Sequence, residues 1–262
     1  MTRPTALVTG ASAGIGAEFA RLLAPDHDLV LVARDAARLE ALAKELADAH
    51  GTASEVLAAD LGDDTQLASV EARIADASRP VDIVVNNAGF GTVGEFAELP
   101  VEREDAMVRL NVLALTRLSH AAARTMTARG TGGILNVASL GAFAPVPRMA
   151  VYGATKAFIS SFTQALHEEL LGTGVRVSCL CPGFTRTEFQ ARAGVTGGGP
   201  AMLWASARDV AQAGLAGLAG NKALVVPGAL NATGATLTKL TPAVLARKIS
   251  GQIMRRAEGG SI

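Results

Sequence analysis

The stretch Thr9-Gly10-Ala11-Ser12-Ala13-Gly14-Ile15-Gly16 follows the apolar run at 6–9 and precedes an alanine-rich stretch with helical spacing. Its three glycines suit a tight strand-to-helix turn, a close approach of the backbone to a ligand and close packing of the helix. A pyrophosphate fits against the amino end of such a helix, because backbone amides and the helix dipole favour an anion there. Glycines are also common in ordinary tight turns, so the motif needs support from the rest of the chain.

Outward from this turn, short Val/Leu-rich runs alternate with longer alanine-rich stretches at helical spacing. The runs predict strands at 6–9, 28–33, 55–58, 83–86, 133–137, 175–181 and 223–226. The intervening stretches predict helices at 15–24, 35–49, 65–77, 102–128, 152–171 and 207–219, with Asp63-Asp64 and Ser206 as amino-terminal caps. This order predicts an α/β fold: a doubly wound, Rossmann-type, mostly parallel seven-stranded sheet with helices on both faces. A ligand should then lie beyond the carboxyl ends of the central strands.

The composition predicts a single domain over residues 1–262, because a chain of 262 residues can close one large core. Hydrophobic residues make up 49% and aromatic residues only 4%, so Ala, Val, Leu and Ile must form most of that core. Lysine plus arginine and aspartate plus glutamate number 24 each, which leaves no positive surplus for binding nucleic acid. No apolar stretch approaches the roughly 20 residues of a membrane span, and we expect a cytoplasmic protein.

The cysteines and histidines carry little functional signal. Cys179 and Cys181 lie two apart in a predicted strand, where the backbone holds them apart, so we expect reduced core residues. The four histidines, at 27, 50, 120 and 167, have no metal-ligand spacing. We therefore predict no metal site.

Tyr152 and Lys156 are four residues apart at the start of a predicted helix, which places both side chains on one face. A nearby ammonium favours the phenolate and lowers the pKa of tyrosine from its usual value of about 10. Tyr152 then becomes a candidate proton donor and acceptor near neutral pH. Alternatively, Tyr152 packs at a helix end and Lys156 is a solvated charge, so the neighbouring residues must decide.

Three further polar sites lie near predicted strand ends or inside a helix. Ser139 follows the strand at 133–137 and is placed to hydrogen-bond a substrate oxygen. The segment Asn86-Asn87-Ala88-Gly89 follows another strand, where small residues let the backbone approach an adenosine, although an ordinary Asn/Gly turn is an equal alternative. Asn111 lies inside a long predicted helix, where asparagine is mildly unfavourable, and this indicates an inward polar role.

The residue after the second strand bears on which dinucleotide is bound. An acid there holds the ribose hydroxyls of NAD, whereas a base holds the 2′-phosphate of NADP. Here Arg34 follows the strand, and a guanidinium can bind a phosphate with two hydrogen bonds. We predict NADP(H) over NAD(H), although Asp35 is adjacent and an exposed arginine at a helix start is common.

The glycine turn also permits a different class of enzyme. Gly10-Ala11-Ser12-Ala13-Gly14 satisfies the G-x-S-x-G pattern of the α/β-hydrolase nucleophile, again between a strand and a helix. That oxyanion hole uses an amide from a loop preceding the nucleophile, and only eleven residues precede Ser12. We therefore disfavour the hydrolase and keep it as an alternative.

In their order and spacing, these motifs together resemble the short-chain dehydrogenase/reductase family over roughly residues 5 to 190. The motifs are Thr9 to Gly16, Asp60, Asn86 to Gly89, Asn111, Ser139, Tyr152, Lys156 and Pro182-Gly183. The resemblance implies an oxidoreductase that moves a hydride between NADP(H) and a carbonyl or secondary alcohol. A non-catalytic, dinucleotide-binding regulator with the same fold is the alternative from another functional class.

The same resemblance implies a role for each matching residue. Tyr152 would be the general acid/base, Ser139 would orient the substrate oxygen, and Asn111 would support a water-linked proton relay. Lys156 would bind the nicotinamide ribose and lower the pKa of the phenol. The implied dinucleotide contacts are Gly10, Ser12, Ala13, Gly14, Ile15, Gly16, Arg34, Asp60, Leu61, Asn87, Ala88, Gly89, Tyr152, Lys156, Pro182, Gly183, Thr185 and Thr187.

Substrate identity should depend on apolar residues in the loops, including a substrate-loop region at about 184–205. These residues are Phe90, Leu140, Phe143, Met149, Phe184, Phe189, Met202, Leu203 and Trp204. They predict a lipophilic small molecule without identifying it, because apolar lining is usual in small-molecule sites.

Two segments bear on larger partners. The stretch from Phe158 to Leu170 has an apolar face that would suit a homodimer or homotetramer, or else burial within one subunit. The segment at about 241–256 mixes apolar residues with Arg247, Lys248, Arg255 and Arg256, which is the pattern of a basic amphipathic helix. Such a helix can touch a membrane surface, but we favour packing against protein.

Overall fold

The computed structural model describes residues 3–189, 204–241, 244–245, 247–248 and 251–252. Its main sheet has seven parallel strands in the order β3-β2-β1-β4-β5-β6-β9. The strands are β1 (Thr5–Thr9), β2 (Asp28–Ala33), β3 (Ser54–Ala58), β4 (Ile83–Asn86), β5 (Gly132–Val137), β6 (Val175–Leu180) and β9 (Leu224–Val225). All seven predicted strands are confirmed, as is the doubly wound topology.

A second, two-stranded sheet was not predicted. It pairs β7 (Thr185–Arg186) in parallel with β8 (Ala205–Ser206). These strands are too short to show a periodic pattern in the sequence. They tie the segment after β6 to the segment before the next helix, and both lie in the predicted substrate-loop region. Residues 190–203 of that region, including Met202 and Leu203, lie outside the described residues.

The helices flank the sheet. They are α1 (Gly14–Leu23), α2 (Ala36–His50), α3 (Asp64–Ala75), α4 (Val101–Val108), α5 (Leu115–Arg129), α6 (Ala150–Glu169), α7 (Ala207–Ala219) and α8 (Ala229–Leu240). Asp63 and Ser206 cap α3 and α7 as predicted, because each side chain accepts a hydrogen bond from a backbone amide three residues on. The helix α8 was not predicted.

The predicted helix at 102–128 is wrong in one respect. A π-helical turn, Arg109–Ala114, separates α4 from α5. Such a turn inserts an extra residue without changing the apolar spacing on either side. The spacing of apolar residues therefore predicts one continuous helix. π-turns occur often at functional sites, and this one carries Asn111.

The core forms two apolar layers, one on each face of the sheet. Alternate residues of β1 show this directly, since Val8 packs in the layer with Phe19 while Leu7 packs in the layer with Leu118. Residues of α1, α2 and α7 build the first layer, and residues of α3 and α5 build the second. The chain changes from one side of β1 to the other between β3 and β4, and this switch opens a crevice beside the carboxyl end of β1.

Two further sequence predictions have mixed outcomes. Cys179 and Cys181 are buried and free, as expected, with their sulfur atoms 3.8 Å apart. Most of the predicted amphipathic segment at 241–256 lies outside the described residues; within it, Val244, Leu245, Arg247 and Lys248 are exposed. Among the helices that the structure describes, none is long and apolar enough to cross a bilayer.

Candidate active site

The crevice collects the turns that follow β1, β4, β5 and β6. The glycine turn follows Thr9, the Asn-Asn-Ala-Gly turn follows β4, Ser139 follows β5, and Pro182-Gly183 follows β6. Parallel strands bring all of these turns to one edge of the sheet. The sequence motifs, far apart along the chain, therefore meet where the fold leaves room for a ligand.

The glycine turn and the turn after β4 are built against each other. Thr9 Oγ1 accepts hydrogen bonds from the amides of Asn87 (2.9 Å) and Ala88 (3.0 Å), and Asn87 Nδ2 donates to the Thr9 carbonyl (3.0 Å). Gly10 has φ +66°, and a Cβ there would lie 2.8 Å from Asn87 Nδ2. A Cβ on Gly16 would collide with the Gly10 carbonyl oxygen. Only glycine fits these two positions. Because glycine has no side chain, a ligand in the crevice can approach the backbone of the turn closely.

The amino end of α1 fits a pyrophosphate. Its N-cap residue is Ala13, and no side chain caps the helix. The first amides of a helix lack partners within the helix, so they and the helix dipole favour an anion. The chemistry of this turn therefore suits the diphosphate of a dinucleotide.

Tyr152, Lys156 and Ser139 come together as the sequence predicted. Tyr152 and Lys156 lie one turn apart on α6, with Lys156 Nζ 5.7 Å from the centre of the phenol ring. Ser139 caps a short 3₁₀ turn, Leu140–Ala142, and its hydroxyl lies close enough to the phenol of Tyr152 to lower its pKa. Lys156 Nζ donates to the Val137 carbonyl at the end of β5 (2.9 Å). The end of β5 thus holds Lys156 through a backbone carbonyl, and Ser139, two residues later, borders Tyr152.

The predicted pKa shift of Tyr152 has the wrong sign. Burial raises the pKa of Tyr152 to about 12, and the hydrogen bond from Ser139 opposes this only in part. Burial also lowers the pKa of Lys156 to about 8. Both groups are poorly solvated, so their charged forms are disfavoured more than the lysine favours the phenolate. At neutral pH the pair is therefore a protonated phenol beside an ammonium.

Asn111 has the inward polar role that its helical position indicated. It is buried, its Oδ1 accepts from the Phe90 amide (3.1 Å), and its Nδ2 donates to the Phe90 carbonyl (2.9 Å). Nδ2 also donates to Thr155 Oγ1 on α6 (3.1 Å). Asn111 thus joins the loop after β4 to the helix that carries Tyr152. Its place in a water-linked proton relay stays a prediction.

The other predicted dinucleotide contacts lie along the same crevice. Arg34, at the end of β2, has a side chain that is 77% exposed and 3.8 Å from the Asp60 carboxylate. Leu61 is buried next to Asp60. At the opposite end, Gly183 lies against Leu140 and Asn231, so Asn231 on the unpredicted helix α8 also borders this turn.

The segment after β6 approaches both ends of the crevice. A Cβ on Gly14 would lie 3.2 Å from the Thr187 methyl group, while the ring of Phe189 is 5.6 Å from that of Tyr152. Glu188, between them, pairs with Arg38 of α2 (3.1 Å). No pattern in the sequence predicts this pair, since its members are 150 residues apart.

The predicted apolar residues do not form one pocket. Met149 and Phe189 lie beside Tyr152, since a Cβ on Gly91 would be within 3.2 Å of all three. Phe184 instead packs on Trp204, with ring centres 5.4 Å apart. Phe143 lines a separate cavity of about 190 Å³ with residues of β9 and α8. Only part of the predicted set therefore borders the reacting groups.

Known proteins are similar to this chain in sequence and fold. The family model for short chain dehydrogenases matches residues 4–196. A short-chain dehydrogenase from Sphingobium yanoikuyae, solved in complex with NADPH, is 39% identical with a TM-score of 0.81, over 90% of this chain and 94% of that one. The bulky-bulky ketone specific alcohol dehydrogenase from Comamonas testosteroni is 34% identical with a TM-score of 0.79, over 92% of this chain and 93% of that one.

The name of another relative specifies a different substrate from the bulky ketones of the Comamonas testosteroni enzyme. Sulfoacetaldehyde reductase 2 of Chromohalobacter salexigens is 37% identical over 187 residues, which are 70% of this chain and 73% of the relative. Proteins similar to this chain thus carry the names of a bulky ketone and of a small anionic aldehyde as substrates. The similarity shows a reaction class without selecting a substrate.

Proposed function

The chain belongs to the short-chain dehydrogenase/reductase family and is an NAD(P)-dependent oxidoreductase, and we propose that it moves a hydride between NADP(H) and a carbonyl or secondary alcohol, with Tyr152 as general acid and base. One observation carries the role of Tyr152: its phenol has both the Ser139 hydroxyl and the Lys156 ammonium as neighbours, at the edge of the sheet that holds the glycine turn. Family membership leaves no place for the Ser12 hydrolase.

The residues divide the work of a carbonyl reduction. A nicotinamide dinucleotide, when bound, supplies the hydride. Tyr152, protonated at neutral pH, donates its proton to the substrate oxygen as negative charge develops there. Ser139 donates a hydrogen bond to the same oxygen and orients it, while Lys156 supplies positive charge behind the phenol. In alcohol oxidation the steps reverse, and Tyr152 must first lose its own proton so that the phenolate oxygen can accept the proton of the alcohol.

The proposed preference for NADP(H) rests on Arg34 and on the contacts that the neighbouring Asp35 carboxylate already makes. Asp35, the acid that could favour NAD, caps α2: its Oδ1 accepts from the Arg38 amide (3.1 Å) and its Oδ2 lies 3.4 Å from Arg38 Nε. Arg34 is exposed at the end of β2, where a 2′-phosphate would lie. The NADPH complex of the Sphingobium yanoikuyae relative supports the same choice.

Substituting Arg34 should change which dinucleotide binds. A charge-assisted hydrogen bond contributes about 1.5–3 kcal/mol, so Arg34→Ala should weaken NADPH binding by about 10- to 100-fold and leave NADH binding nearly unchanged. Titrations followed by nucleotide fluorescence and melting temperature measure both. Lys44→Ala, at an exposed position on α2, the helix that follows Arg34, is the control. A wild-type preference for NADH would remove the argument from Arg34, and binding of neither dinucleotide would contradict the proposed reaction.

We also propose a lipophilic substrate. Met149 and Phe189 lie beside Tyr152, and the name of the Comamonas testosteroni relative specifies bulky ketones. A panel of ketones and aldehydes of increasing apolar size should therefore give rising kcat/KM, with sulfoacetaldehyde as a small, charged comparison. Apolar groups gain about 0.8 kcal/mol per buried CH₂, so each added methylene should raise kcat/KM by up to about fourfold. A higher kcat/KM for sulfoacetaldehyde than for every apolar ketone would contradict this.

The remaining expectations stay predictions. A regulator that binds the dinucleotide without chemistry would show binding but no turnover on this panel. The cytoplasmic location and the homodimer or homotetramer are untested; Phe158, 42% exposed and stacked on Phe162, supports an interface on α6.

A further inference from the structure

Residues 185–189, which we call the strap, connect the two ends of the active site. Thr187 touches the glycine turn at Gly14, and Phe189 packs on the ring of Tyr152 at an interplanar angle of 48°. The strap begins with β7, which pairs with β8, and the amide of Ala205 donates to the Phe184 carbonyl (2.9 Å). Its position therefore affects both the phosphate turn and the proton donor.

An ion pair joins the strap to α2. Arg38 Nη1 donates to both carboxylate oxygens of Glu188, at 3.1 Å each, while Arg38 Nε lies 3.4 Å from Asp35. Arg38 belongs to the first turn of α2, one turn after Arg34, so this end of the strap is fixed beside the predicted 2′-phosphate position. The pair therefore spans the crevice between α2 and the segment after β6.

We propose that Glu188 is a positioning residue: its pair with Arg38 anchors the strap across the dinucleotide site, slows release of NADP(H) and holds Phe189 on Tyr152. This inference rests on the proposed function. Both side chains are about half exposed, at 48% for Arg38 and 50% for Glu188, so water and salt screen the pair. The effect should be moderate, about threefold to fivefold in affinity, as for an exposed pair in good geometry.

The anchor predicts a defined kinetic pattern for Glu188→Gln. NADPH dissociation, followed by stopped-flow fluorescence, should be about threefold to fivefold faster at low ionic strength, with a matching rise in KM for the cofactor. The wild-type rate should approach that of the variant at about 1 M salt, where the screening length is about 3 Å. Glu45→Gln is the matched control, because Glu45 pairs with Arg21 (2.7 Å) away from the crevice. The control should change neither the rate nor its salt dependence.

Charge reversal separates an anchor from a direct cofactor ligand. If the pair acts as proposed, Arg38→Glu and Glu188→Arg should each speed NADPH release, and the double variant should recover most of the wild-type rate. If Arg38 instead binds the cofactor directly, the double variant stays as weak as Arg38→Glu, and the proposal is overturned. Dissociation of Glu188→Gln that matches Glu45→Gln at every salt concentration also overturns it.

The strap can also be tested without a cofactor. Trp204 is the only tryptophan of the chain, and its ring packs at a tilt on Phe184, next to the strap. Acrylamide quenching of its fluorescence should increase in Glu188→Gln and stay unchanged in Glu45→Gln. If no dinucleotide binds, the proposed function fails, but the difference in quenching between Glu188→Gln and Glu45→Gln still shows whether the ion pair anchors the strap. If NADPH binds and turns over but neither quenching nor release changes in Glu188→Gln, only the anchor fails.

Discussion

Tyr152→Phe is expected to lower kcat by about 10²- to 10⁴-fold, which is the usual contribution of a positioned general acid or base. The substitution removes the hydroxyl that contacts Ser139 and keeps the ring that packs on Phe189. The glycine turn and the amino end of α1 are untouched. Dinucleotide affinity should therefore stay close to that of the wild type while proton transfer is lost.

The measurement pairs single-turnover kinetics with a dinucleotide titration on the same preparations. Ser139→Ala should keep a larger share of activity, since it removes an orienting hydrogen bond but no reacting proton. Tyr152 is also the only tyrosine of the chain, so near-ultraviolet absorbance follows its ionisation directly. The folded protein should show no phenolate until well above pH 10. Near-normal turnover in Tyr152→Phe would refute its role as acid and base.

The main sheet was predictable because its strands are short apolar runs between stretches of helical spacing. The helix α8 escaped prediction because its sequence, Ala229–Leu240, mixes one glycine and three threonines among its apolar residues. Threonine and glycine are weak helix formers, so tertiary packing decides this element. The π-turn at Asn111 was missed for a different reason, since it leaves the apolar period intact on both sides.

The grouping of Ser139, Tyr152 and Lys156 was predictable because one helical turn and one strand end fix where these residues lie. The direction of the pKa shift of Tyr152 was not predictable. The spacing shows that Lys156 is near, but it does not show that both groups are desolvated. The ion pair that anchors the strap could not be predicted from the sequence either. Arg38 and Glu188 meet only through the tertiary fold, and each alone reads as an ordinary surface charge.

Lys156→Met is expected to make the protein more stable while it abolishes efficient turnover. Lys156 is buried, and its pKa falls from 10.5 to about 8, so holding its charge at pH 7 costs on the order of 3 kcal/mol. Methionine keeps much of the apolar stem and removes the charge. Loss of the hydrogen bond to the Val137 carbonyl costs about 1 kcal/mol, which leaves a gain of about 2 kcal/mol in unfolding free energy.

The pH dependence identifies the buried charge as the cause of that gain. Between the folded pKa of about 8 and the unfolded value of 10.5, the unfolded chain keeps the lysine proton that the folded chain has released. The unfolding free energy of the wild type should therefore rise with pH through this window, and the gain from Lys156→Met should shrink until it disappears. Urea unfolding from pH 7 to pH 10 measures both curves. If the two curves stay parallel, burial of the ammonium is not what destabilises the wild type, and the protonated pair assigned to this site is wrong.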